Sequence, residues 1–88
     1  MEQNEQSAFT KLIGTNIKQL REKAHLTTTQ LAKKVNLSQA QISRLENAKQ
    51  GFRTETMVKI ATALGVPVLR LCLTDEQAGI VGVLSKAK

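Results

Sequence analysis

The sequence predicts an all-α fold: five short helices in a compact bundle, with an extra C-terminal helix. Three observations carry that prediction. Apolar residues recur at the three-and-four spacing of amphipathic helices along most of the chain. No segment shows the alternating, β-branched pattern of a strand. Three Ser/Thr-x-x-Gln boxes, Thr27–Gln30, Ser38–Gln41 and Thr74–Gln77, mark helix starts.

Residues 1–6 are polar and are expected to be disordered. The first helix should begin near Ser7 and run to about Ala24. Phe9, Leu12, Ile13, Ile17 and Leu20 form its apolar face, with Lys11, Lys18 and Glu22 outside it. Gly14 within that pattern costs about 1 kcal/mol relative to Ala and reads as a point of close helix packing. Thr27 caps a second helix, Thr28 to Val35, and Ser38 caps a third, Gln39 to about Asn47. In each box the hydroxyl accepts from the backbone N–H three residues on, and the Gln amide reaches back to the cap. Leu26 with Leu31, and Leu37 with Ile42, are the matching hydrophobic staples. The two starts lie close enough to leave about two turns for the second helix.

Leu31, Ala32 and Val35 make one apolar stripe, and Ile42 and Leu45 make the stripe that meets it. Asn36 falls where the chain must reverse, and Asn tolerates the left-handed conformation better than other non-glycine residues. Two capped helices joined in this way are a helix-turn-helix pattern. The segment AKQGFR, around Gly51, reads as a loop. A fourth helix should follow from about Thr54 to Leu64, with Met57, Ile60, Ala61 and Leu64 on one face and Gly65 at its end. Pro67 would start a short fifth helix through about Leu71. Thr74 caps a sixth, to about Ser85, whose first turn carries Asp75 and Glu76 to suit the helix dipole. Ile80, Val81 and Leu84 share a face of it, and Gly79 and Gly82 weaken it.

The motif and its surroundings resemble the Cro/C1-type (Xre family) DNA-binding domain of phage repressors and small bacterial regulators. Ala32, Asn36, Ile42 and Leu45 match the family's small residue, turn residue and two packing positions, and the likeness runs from about Gly14 to Leu71. It departs where the family often has glycine and this chain has His25 and Asn36. The resemblance implies a lambda-repressor-like domain over residues 7–73, with the motif at 28–47, a recognition helix at 39–47 and an appended tail at 74–88.

A helical wheel puts Ile42, Leu45 and Glu46 on the inner side of the third helix and Ala40, Ser43, Arg44 and Asn47 on the outer side, with Gln39 in the first turn. In helix-turn-helix docking such a helix enters the major groove. Gln suits adenine, Arg suits guanine, Ser donates or accepts, and Ala meets a thymine methyl. Gln39, Ala40, Ser43 and Arg44 are therefore the candidates for reading bases, and the resemblance implies base contacts at Gln39, Ala40 and Arg44. Gln41 is assigned to capping. Phosphate contacts are expected from Thr28 and Thr29, at the positive end of the second helix, and from Asn47, Lys49 and Arg53; the resemblance singles out Thr28. It also implies an ion pair between Arg21 and Glu46, partly buried and tying the first helix to the third. Lys33 and Lys34 read as solvated surface, Cys72 as a buried structural thiol and His25 as a surface residue at a helix end.

Composition sets the outer bounds. The 88 residues suffice for one small domain. One Cys allows no intrachain disulfide and no Cys-based zinc site, and fits a reducing cytoplasm. No segment reads as a membrane span, and MEQNEQ lacks a signal-peptide pattern. The net charge of +6 favours a polyanion. Phe9 and Phe52 are the only aromatics, too few for base-stacking platforms, which favours a duplex reader. With one His, one Cys and one Asp, no nucleophile–base pair or metal cluster appears, so no enzyme and no cofactor is expected. The expectation is a regulator, by resemblance a repressor, binding an inverted-repeat operator in double-stranded DNA as a homodimer. Two rivals are an antitoxin or restriction–modification controller with a toxin or other regulator as partner, and a protein-interaction module that binds DNA non-specifically. The sixth helix either covers the bundle or serves as a dimer contact.

Overall fold

The computed structural model describes residues 7–86, with side chains through Ile80. Residues 1–6, expected to be disordered, lie outside the described residues, as do the side chains of Val81 and Leu84. The described chain is all-helical: α1 Ala8–Lys23, α2 Thr28–Val35, α3 Gln39–Glu46, α4 Thr54–Leu64, α5 Val68–Leu71 and α6 Asp75–Lys86.

The helix starts follow from side-chain caps. Ser7 accepts from the Thr10 amide, and Thr27 and Ser38 each close a full capping box with Gln30 and Gln41. Thr74 accepts from the Gln77 amide, and Gln77 Oε1 accepts from the Thr74 amide. Pro67 stands just before α5 as its cap residue, not as its first helical residue. Asn47 caps α3, so that helix ends one residue earlier than the periodicity indicates.

Helices α1 to α4 all end in one way. A residue in the left-handed region follows each: His25 (φ 61), Asn36 (φ 60), Ala48 (φ 56) and Gly65 (φ 74). In each exit the next amide returns to a carbonyl five residues back: Leu26 to Arg21, Leu37 to Ala32, Lys49 to Arg44 and Val66 to Ala61. This is the Schellman arrangement, which pairs carbonyls that the helix end would leave open. His25 thus ends α1 in the conformation a glycine would ordinarily supply.

Ile13, Ile17, Leu31, Val35, Ile42, Leu45, Ile60 and Leu71 form the core where α1 to α5 converge. Two features hold α1 against the rest. A Cβ on Gly14 would lie 2.6 Å from the Leu45 carbonyl oxygen and 2.7 Å from that of Glu46, so only glycine lets α1 approach the end of α3 this closely. Asn16, 3% exposed, donates through Nδ2 to the carbonyls of Leu71 (2.9 Å) and Leu73 (2.7 Å). These bonds fix the chain leaving α5 and satisfy an amide that burial would otherwise penalise.

Two expectations need correction. Phe9 is 54% exposed, because burial on α1 begins only at Ile13 and the first turn runs beyond the core. Cys72 is half-buried, its Sγ 3.9 Å from the Val68 carbonyl at the end of α5. None of the extensive helix–helix interfaces among the described residues involves α6, and Ile80 on it is 55% exposed.

Candidate nucleic-acid interface

The candidate surface is built on α3. Its inner side buries Ile42, Leu45 and Glu46, and its outer side leaves Gln39, Ala40, Arg44 and Asn47 exposed, with Ser43 half-buried. Two contacts lock the inner side. Arg21 donates from Nε to Glu46 Oε2 at 2.6 Å and from Nη2 to Glu46 Oε1 at 3.1 Å. Its Nη1 donates to the Leu26 carbonyl at 2.8 Å, so one guanidinium joins α1, the connection to α2 and the end of α3. Both side chains are almost closed to solvent, at 10% and 4%.

The hydrogen bond to Glu46 raises the Arg21 pKa, partly opposed by burial. A raised pKa on a cation means its contribution is complete below the ordinary arginine value and is lost only at still higher pH. The arginine therefore stays charged at any pH where the protein would be studied.

At the other end of α3, Gln39 Nε2 donates to Thr28 Oγ1 at 3.3 Å. That bond places a base-reading candidate against a phosphate candidate and aligns the starts of α2 and α3. Thr28 is half-buried and Thr29 exposed. Their amides sit in the first turn of α2, where no intrahelical carbonyl is available to them, so the positive end of the helix faces outward. Gln41 is committed to the cap: its Oε1 accepts from the Ser38 amide at 2.8 Å, and its amide donates to Ser38 Oγ at 3.1 Å.

The remaining candidates lie around the exit of α3. Asn47 Nδ2 donates to the Ser43 carbonyl at 2.9 Å, which folds that side chain back on its own helix. Lys49 and Arg53 are exposed on the loop that follows. Arg53 caps α4 by backbone position alone, leaving its side chain out of the cap. Sequence reasoning missed Gln50. Its Oε1 accepts from Arg44 Nε at 3.0 Å, across the reversal at Ala48. No sequence signal marks this contact, because no glycine announces the reversal.

Chemically, this arrangement offers donors and acceptors of several kinds on one exposed helix face, the positive end of α2 beside it and cations on the flanking loop. Among the described residues, no helix is long and apolar enough to cross a membrane.

A family model described as helix-turn-helix (HTH_3) matches residues 17–71. The chain is 44% identical over 55 residues to the HTH-type transcriptional repressor RghR of Bacillus subtilis (strain 168), a match covering 61% of this chain and 41% of that protein. The chain thus spans about two-fifths of the length of that curated relative. In fold it is similar to the restriction-modification controller protein C.AhdI of Aeromonas hydrophila, with a TM-score of 0.71 and 23% identity over 74% of this chain and 98% of that one. It is also similar to a hypothetical transcription factor, NHTF, from Neisseria, with a TM-score of 0.78 and 19% identity over 90% of this chain and 99% of that one.

Proposed function

This chain belongs to the helix-turn-helix family of DNA-binding transcription regulators, and on that premise we propose that it is a sequence-specific repressor acting on an inverted-repeat operator as a homodimer. One observation carries the reading. The outer side of α3 presents Gln39, Ala40 and Arg44 to solvent while its inner side is fixed to α1 through Arg21 and Glu46. A helix held this firmly can present a constant face to the major groove. In this reading Gln39, Ala40, Ser43 and Arg44 meet base edges. Thr28, Thr29, Asn47, Lys49 and Arg53 meet phosphates on either side. In this reading residues 7–73 form the DNA-binding unit, and the tail at 74–88 is an appendage to it.

Symmetry and helix length favour homodimer binding. A recognition helix of eight residues reads few base pairs; pairing two copies on half-sites about one turn apart doubles the sequence read.

The test is selection from a random duplex pool at near-physiological salt, repeated with Arg44→Ala. The expected result is an enriched inverted repeat in which one position of each half is relaxed by the substitution. Discrimination at that position should fall by about 1–3 kcal/mol, the worth of a bidentate arginine–guanine contact. Binding without enrichment, collapsing as salt rises, would leave only counterion-release attraction and would overturn the proposal.

A further inference from the structure

We propose that Gln50 is a positioning residue for Arg44, holding its guanidinium in the one orientation that lets it read a base; the inference rests on the base-reading role given to Arg44 above. An exposed arginine on a helix surface ordinarily samples many rotamers, and freezing them on binding subtracts from affinity. Here the side chain is already tethered, Nε to Gln50 Oε1 at 3.0 Å. The anchor is the better-held partner: Gln50 is half-buried while Arg44 is exposed.

The backbone explains how the two meet. Ala48 takes the left-handed conformation, and the Lys49 amide then bonds the carbonyl of Arg44 itself at 2.8 Å. The chain is folded back on Arg44, and the next side chain along is Gln50. One turn thus both ends α3 and delivers the tether.

The chemistry of the tether matters in two ways. It engages Nε, which leaves both terminal Nη groups to donate end-on as a pair, the geometry that suits guanine O6 and N7. Its acceptor is a neutral amide. A carboxylate at the same place would hold the arginine as well but would cancel the charge that attracts DNA.

The experiment is a double-mutant cycle on the enriched duplex and its three single-base variants at the Arg44 position. Binding is measured for the wild type, Gln50→Ala, Arg44→Ala and the double variant, with thermal melts alongside. Gln50→Ala should weaken binding to the preferred base by about 2- to 10-fold, the worth of one ordered side chain, and flatten the preference among the four bases. In the Arg44→Ala background the same change should do nothing. Gln50→Glu, which keeps the acceptor, should retain the base preference while lowering affinity for all four duplexes alike. Melting transitions should be unchanged by either Gln50 substitution.

Equal losses from Gln50→Ala with and without Arg44 would mean that Gln50 acts on DNA directly, and would overturn the proposal. So would an unchanged base preference in Gln50→Ala. If Arg44→Ala itself leaves the preference intact, the base-reading assignment fails first, and the tether has nothing to position.

Discussion

Helix α2 and helix α3 each have eight residues, start on a capping box and leave through a left-handed residue, yet the bundle grips them by different means. Helix α2 buries only Leu31, Ala32 and Val35. Apolar contacts of this kind are non-directional, so they favour burial without strongly fixing rotation. Helix α3 buries Glu46 beside Ile42 and Leu45, and the carboxylate takes two bonds from Arg21. Its last turn also rests against Gly14 with no room for a Cβ between them. A bidentate pair sets the rotation of the helix, and the steric stop sets its distance from α1. The element that offers the proposed reading face is the one held directionally.

The largest way to break this contrast is at Glu46. Glu46→Ala leaves Arg21 buried without its partner and should cost about 3–5 kcal/mol, measurable by equilibrium denaturation. Replacing both, Arg21→Met with Glu46→Leu, should restore most of that loss, because well-packed apolar residues often match or exceed a buried pair in stability. A small loss in the single variant would mean that the pair does not hold α3.

Gly14→Ala tests the second grip. Helix propensity alone argues for a gain of about 1 kcal/mol. The new Cβ would meet two backbone oxygens at 2.6 and 2.7 Å, and these have no flexible end to move aside. The clash should win, with a net loss of about 1–3 kcal/mol; a raised melting temperature would show that α1 can shift freely.

These same residues show what the chain discloses about itself. The caps and the apolar spacing place α2 at Thr28 to Val35 and α4 at Thr54 to Leu64, and the structure has the same ends. Hydrophobic spacing could not say that Asn16 is buried, because its acceptors, Leu71 and Leu73, lie far along the chain. It overstated Phe9 because periodicity reports a face and not how far the core extends along it. At the candidate site, the outer face of α3 is legible on a wheel, and the Arg21–Glu46 match came through family likeness. The Arg44–Gln50 contact is not legible, since a side-chain bond across a loop leaves no periodic trace. Its enabling turn is hidden as well, because Ala48 adopts a conformation that usually selects glycine.

That turn supplies the smallest test. Ala48→Gly removes the steric penalty of a left-handed alanine and should stabilise the fold by about 0.5–1 kcal/mol after the added freedom of the unfolded chain is counted. Asn36→Gly, at the corresponding exit of α2, should gain less, since Asn already tolerates that conformation. Thermal melts of the two single variants would rank the exits; a loss at Ala48 would mean that its buried methyl outweighs the strain.

The two bonds from Asn16 bear on how this module can be moved between proteins. Donor and acceptors sit on opposite borders of the bundle, at Asn16 in α1 and at Leu71 and Leu73 where α5 ends. A transplant into a hybrid regulator that is trimmed inside either border would bring the amide without its carbonyls, or the carbonyls without their amide. The splice points of a working chimaera therefore lie outside both, and the stretch just past α5 travels with the domain as one of its clasps.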